Sequence, residues 1–221
     1  MKDRALSSDP VEDASNGTVR KRMILTGVLQ GIGFRPTVYR LATKLGLAGW
    51  VINSTNGVRI EIEGTPRQCR HFEKDLPDVI PFPGRIDSAS VEDIEPRGES
   101  VFRIEASREE RRLVTPIPPD VAVCPECVHE LFDPENHRYL YPFITCTLCG
   151  PRFTVVRAFP YDRERTSMAD FAMCPSCLRE YESPHDRRFH SQTNSCTTCG
   201  PRLSIVDAMG NELDGDPVLE T

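Results

Sequence analysis

At 221 residues, with 38% hydrophobic and 27% charged side chains, the chain has room for two small domains of ~100 residues each and excludes disorder throughout. No apolar run approaches the ~18 residues of a membrane span, and the polar residues 1–11 lack a signal peptide's apolar stretch, so the expectation is a cytoplasmic protein without membrane contact. The net charge of −6 lies in the second half, since residues 1–115 carry 18 basic and 17 acidic side chains and residues 116–221 carry 9 and 16; a nucleic-acid partner would demand the opposite bias.

In chain order, residues 1–18 are polar and aperiodic and read as a disordered leader. A first domain is expected over 19–107. Residues 22–29 are strand-like, and after the Gly31-x-Gly33 turn Val38, Leu41, Ala42 and Leu45 recur at helical spacing, with Pro36 in the first turn and Gly46 past the end. Residues 47–53 predict a second strand. Val58, Ile60 and Ile62 alternate with Arg59, Glu61 and Glu63 in a third with one buried face, and Asn56-Gly57 is the expected hairpin turn. Thr65-Pro66-Arg67-Gln68 is a capping box opening a helix whose apolar face is Cys69, Phe72 and Leu76. Strands at 85–94 and 101–105 close a β-α-β-β-α-β order, the ferredoxin-like arrangement of an α+β domain. A linker at 108–121 follows, stiffened by Pro116, Pro118 and Pro119, which predicts two thermodynamically separate units.

Residues 122–206 repeat with a period of 50. Aligning 124–153 with 174–203 gives 12 identities in 30 positions, including Pro125/Pro175, Glu130/Glu180, Pro134/Pro184 and Gly150-Pro151-Arg152/Gly200-Pro201-Arg202. Each copy, 124–149 and 174–199, reads C-x2-C-x18-C-x2-C. Cys124, Cys127, Cys146 and Cys149, with Cys174, Cys177, Cys196 and Cys199, therefore predict two structural Zn2+ ions, because four thiolates leave no open coordination position. Closure within each repeat and an interleaved pairing both fit the spacing. Residues 187–192 form a polar cluster readable as a docking surface or a solvated basic loop, His137 and His190 read as surface or interface residues, and 207–221 read as a tail.

Gln30-Gly31-Ile32-Gly33-Phe34-Arg35 lies between a strand and a helix N-terminus, where backbone N–H groups converge and Arg35 adds a planar fork suited to a phosphoryl group. The pattern lacks G-x-G-x-x-G and a Walker lysine, and an ordinary tight turn fits it as well.

Gly27-Val28-Leu29-Gln30-Gly31-Ile32-Gly33-Phe34-Arg35 resembles the acylphosphatase signature, in which V-Q-G-V-x-F-R cradles phosphate, and Gly49-Trp50-Val51-Ile52-Asn53-x3-Gly57 resembles its second signature. The departures at Leu29, Ile32 and Ile52, and the spacing from Gly57 to Gly64, one residue short, spare Arg35 and Asn53, which the resemblance marks as catalytic; it implies phosphate binding by Gln30, Gly31, Ile32, Gly33, Phe34 and Arg35. Such a domain followed by duplicated four-cysteine zinc fingers is similar, over 19–206, to the N-terminal part of the HypF carbamoyltransferase family of [NiFe]-hydrogenase maturation.

That resemblance implies hydrolysis of carbamoyl phosphate to carbamate and phosphate on the way to the cyanide ligands of the iron. It also implies downstream nucleotide-binding and carbamoyl-transfer domains and a partner maturation protein. Those domains have no counterpart here, so the chain reads as a fragment or a split gene product. Two alternatives stand beside this reading: a general acylphosphatase with structural fingers, and a zinc-dependent interaction module without catalysis.

Overall fold

The alternation of apolar and polar residues expected of a half-buried sheet is built into a five-stranded sheet in order β4-β1-β3-β2-β5. In this computed structural model residues 17–108 and 115–214 are described; most of the predicted leader (1–16), part of the linker (109–114) and the end of the tail (215–221) lie outside the described residues. The strands are β1 (Val19–Val28), β2 (Ala48–Ser54), β3 (Gly57–Gly64), β4 (Arg85–Ile94) and β5 (Phe102–Ile104), with α1 (Phe34–Lys44) and α2 (Pro66–Asp75) between them. All neighbours are antiparallel except β2 and β5. Val58, Ile60 and Ile62 join Met23 and Leu25 of β1, Val38 and Leu41 of α1, and Phe72 of α2 in one core. The capping box forms: Thr65 Oγ1 accepts from the Gln68 N–H, and the Thr65 N–H donates to Gln68 Oε1 at 2.8 Å.

Two local expectations are corrected. The polar face of β3 is also buried, Glu61 and Glu63 being 1% and 3% exposed. Arg20, itself buried, donates through Nε to Glu61 (2.9 Å), through Nη1 to Glu63 (2.6 Å) and through Nη2 to Glu99 (2.8 Å). Burial alone would push the Glu61 carboxyl up, but Arg20 and Arg22 outweigh it and hold it below the ordinary carboxylate value. The hairpin turn is Thr55-Asn56, one residue earlier than expected, because Ser54 pairs with Gly57. Gly57 is needed as the first strand residue: at φ 130 a Cβ there would stand 2.1 Å from the Leu25 carbonyl oxygen.

Each cysteine repeat contributes one short helix, α3 (Pro125–Phe132) and α4 (Pro175–Glu182), with Cys124 and Cys174 at the N-caps and proline in the first turn. The apolar cluster of the first repeat is small, Cys127, Tyr141, Ile144, Cys146 and Cys149, as expected of a unit too short for a large core. A two-stranded ribbon, β6 (Ile205–Val206) and β7 (Glu212–Leu213), follows. Among the described residues no helix is long and apolar enough to cross a membrane.

The two units expected on either side of the linker touch one another. Arg40 of α1 donates to the carbonyls of Pro184 (3.1 Å) and Asp186 (2.7 Å), and its guanidinium covers the Phe189 ring. That ring also packs edge-on against Tyr39, with centroids 5.1 Å apart. The prolines connect the units without separating them, because the finger unit folds back over the α1 N-terminus.

Candidate active site and metal centres

The cysteines gather repeat by repeat into Cys124, Cys127, Cys146 and Cys149, and Cys174, Cys177, Cys196 and Cys199. In the first set the Sγ atoms of 124 and 146, 146 and 149, and 127 and 149 are 3.8, 3.6 and 3.6 Å apart. In the second, those of 174 and 196, 196 and 199, and 177 and 199 are 3.7, 3.8 and 3.6 Å apart. A tetrahedron with Zn–S of ~2.3 Å has edges of ~3.8 Å. Donor set and spacing therefore fit a four-thiolate metal ion in each repeat, and the interleaved pairing is not adopted.

Around these thiolates the repeats exchange arginines. Arg138 of the first repeat bonds Glu180 (Nη1, 2.9 Å), Cys177 Sγ (3.4 Å) and the Ser195 carbonyl (2.8 Å) of the second. Its equivalent, Arg188, bonds Glu130, Cys127 Sγ (3.9 Å) and the Thr145 carbonyl (3.0 Å) of the first. Arg187 adds bonds to Cys127 Sγ (3.2 Å) and Cys124 Sγ (3.6 Å). Burial favours a neutral Glu130, yet Arg188 and Arg187 prevail and hold its carboxyl down to about 2. These cations offset the surplus negative charge of a four-thiolate centre. Arg187 and Arg188 thus engage the first repeat, Arg188 buried and Arg187 half-buried, while Phe189 next to them packs on the first unit. His137 is exposed, 3.6 Å from Glu180, and His190 lies at the interface between the units.

The glycine loop follows β1 and ends in α1, whose N-cap is Gly33 in the left-handed conformation at φ 79. Ile32 and Phe34 bury their side chains in the core, so they face the loop's concavity only with backbone. The Gln30 side chain pins the loop to the hairpin, donating through Nε2 to the carbonyls of Ser54 (2.6 Å) and Gly57 (2.9 Å). Residues 30–33 form the turn that leads from β1 into the N-terminus of α1.

Arg35, 8% exposed, donates through Nη2 to the Tyr161 carbonyl (3.1 Å) and through Nη1 to Ser107 Oγ (3.2 Å), and pairs with Asp162 Oδ1 (2.9 Å). Asn53 Nδ2 donates to the same Tyr161 carbonyl at 3.3 Å, while its Oδ1 is buried without a partner. Because a carbonyl oxygen only accepts, this bond fixes the amide orientation and leaves Oδ1 as an available acceptor.

Loop, Arg35 and Asn53 line a cavity of about 30 Å³ whose other wall comes from the fingers: Thr147, Arg152, Tyr161 and residues 190–193. The glycines make this approach possible, since a Cβ on Gly33 would meet Thr147 Cγ2 at 3.0 Å and one on Gly31 the Tyr161 ring at 3.4 Å. A larger cavity, about 570 Å³, adjoins it and shares Arg35, His190 and Gln192. Burial and the nearby Arg35 push His190 down to about 4, so its imidazole is neutral at physiological pH.

Tyr161 and Asp162 were not legible as site residues: they lie in the spacer between repeats, where no periodicity points to them. Arg152 does carry a signal, the repeated G-P-R. It donates to the carbonyls of Cys149 (2.8 Å), Thr147 (2.9 Å) and Cys146 (3.4 Å), closing the first knuckle beside the cavity.

Residues 21–104 match the family model "Acylphosphatase", and the acylphosphatase of Moorella thermoacetica is 39% identical over 90 residues, 40% of this chain and 96% of that one. Fold and site define an enzyme of the acylphosphatase type. Residues 123–156 and 173–206 each match the model "HypF finger". Carbamoyltransferase HypF2 of Cupriavidus necator is 48% identical over 158 residues, 70% of this chain and 19% of that protein. A solved structure described as full-length HypF in the phosphate- and nucleotide-bound form superposes with a TM-score of 0.82 at 40% identity, covering 87% of this chain and 26% of that one. The chain thus combines an acylphosphatase domain with two HypF fingers, is similar to HypF carbamoyltransferases over that stretch, and spans about a fifth to a quarter of the length of these two relatives.

Proposed function

We propose that this chain hydrolyses the acyl–phosphate bond of carbamoyl phosphate, releasing carbamate and phosphate, as the first step of a carbamoyltransferase acting in [NiFe]-hydrogenase maturation. The observation that carries the reading is the convergence of Arg35 and Asn53 on one small cavity lined by the glycine loop. The loop of residues 30–35 and Arg35 bind the phosphoryl group and stabilise the charge on its equatorial oxygens. Asn53 Oδ1 accepts a hydrogen bond from the attacking water. The water oxygen bonds to phosphorus as the bridging P–O bond breaks, the carbamate leaves as an anion, and both protons of the water stay with phosphate as dihydrogen phosphate. The leaving group needs no proton, so no general acid is required.

The eight ligand cysteines hold two zinc ions whose role is structural, keeping the finger wall against the loop. The remaining steps, carbamate activation and transfer to a partner maturation protein, belong to the further domains that the resemblance implies.

The test is phosphate release from carbamoyl and acetyl phosphate. Arg35→Lys keeps the charge but loses the planar fork, and Asn53→Ala loses the water's acceptor; each should lower turnover at least ~100-fold, the scale of one transition-state donor. Asn53→Ala should leave inhibition by phosphate nearly intact, since Asn53 acts on the water. Near-normal rates in both variants refute the reading and leave a fold without this function.

A further inference from the structure

The segment of the finger unit that faces the loop is more than a lid. The Tyr161 peptide is gripped from both sides, its N–H donating to Gln30 Oε1 at 2.9 Å and its carbonyl accepting from both Arg35 and Asn53. Asp162 follows with the ion pair to Arg35 Nη1. The next residue anchors the segment to the second finger: Arg163 donates to the carbonyls of Gln192 (2.8 Å), Asn194 (2.9 Å) and Phe171 (2.7 Å).

A guanidinium has five N–H donors. Asp162 and Ser107 engage Nη1 and Tyr161 engages one N–H of Nη2. Nε–H and the second N–H of Nη2 are left for a ligand in the cavity that Arg35 lines. The finger segment therefore fixes the plane of Arg35 without consuming all its donors.

We propose that Asp162, together with the Tyr161 carbonyl, is a positioning residue of the acylphosphatase site, so that the site is completed in cis by the finger unit. This rests on the acyl-phosphate reading and extends it: the fingers hold Arg35 and Asn53 in their working orientation.

A purely repulsive role predicts something different. A carboxylate beside Arg35 weakens anion binding electrostatically, so its removal strengthens the hold on phosphate whatever its other role. If Asp162 also positions Arg35, turnover falls at the same time, because a misplaced group costs rate even when the charge remains.

The experiment compares the full chain with Asp162→Ala and Asp162→Asn, measuring kcat, KM and inhibition by inorganic phosphate, with metal content and thermal unfolding as checks on folding. Asp162→Ala should lower kcat by ~10- to ~100-fold while phosphate inhibits as well as before or better. Asp162→Asn keeps an acceptor for Nη1 and should recover kcat to within ~3-fold of the parent. An unchanged or raised kcat in Asp162→Ala overturns the proposal and makes Asp162 a mere competitor of substrate. Parallel loss of turnover and phosphate binding overturns it in favour of a structural role. Should the alanine variant fail to fold, the asparagine variant decides: a loss beyond ~10-fold refutes positioning by an acceptor. A parent chain without turnover refutes the underlying reading and this one with it, whereas an active parent with an equally active alanine variant refutes this one alone.

Discussion

Removing the metal separates what the two units contribute. Structural zinc binding is worth ~10 to ~16 kcal/mol per site, at or above the ~5 to ~15 kcal/mol that stabilises a whole domain, so chelation unfolds the finger unit. The first unit keeps its own core but loses the bonds that Gln30, Arg35, Asn53 and Arg40 make to the fingers. At ~1 kcal/mol for each of these four residues this removes ~4 kcal/mol, and at ~4 to ~8 °C per kcal/mol for a domain of this size the thermal midpoint of the first unit falls by ~16 to ~32 °C. The chain has one tryptophan, Trp50, buried in β2, which makes its emission a reporter of the first unit alone. The native chain should release about two equivalents of zinc to a chelator while Trp50 emission at 25 °C stays that of a buried indole, its melting midpoint drops and phosphate release fails. Trp50 becoming exposed in step with metal release, or a midpoint that does not move, refutes this assignment of contacts.

Two further outcomes follow from the interface. Arg138→Met, although in the first repeat, should loosen metal at the second ~10-fold, and Arg188→Met the reverse; limited proteolysis read by mass spectrometry would show residues 174–199 becoming cleavable in the first variant and 124–149 in the second. His190 is held down to about 4 by burial first and Arg35 second. Below its ordinary value of ~6.5 the unfolded chain takes up a proton that the folded chain refuses, so stability is full above ~6.5 and falls by at most ~3 kcal/mol as pH drops to about 4; urea unfolding at saturating zinc should show this slope in the parent and not in His190→Gln.

What the sequence carried was whatever repeats at a fixed interval or sits in a local motif. Val58, Ile60 and Ile62 announced a core face, Thr65 and Gln68 a helix start, and eight cysteines two metal centres. The burial of Glu61 and Glu63 was hidden because their partner, Arg20, lies some forty residues away and charge patterns do not say who pairs with whom. Tyr161 was hidden for a deeper reason: it acts through its backbone, and a peptide carbonyl leaves no mark in the residue type. The proline-rich connection suggested independence, but stiffness in a linker says nothing of the surfaces at its ends.

The exchange of Arg138 and Arg188 has a consequence for ancestry. Residue i of one repeat contacts residue j of the other while j of the first contacts i of the second, which is the pattern of an isologous two-fold interface. A polypeptide carrying a single repeat could satisfy every one of these exchanges by pairing with a second copy of itself. Fusion of two such copies would preserve the interface and free the halves to diverge, as residues 190–193 differ from 140–143 at every position. Thr147 and Arg152 come from one half, and residues 190–193 from the other, at positions that are not equivalent under the repeat. The symmetric half of the surface maintains the pair, and the asymmetric half is free to serve a neighbour that has no symmetry of its own.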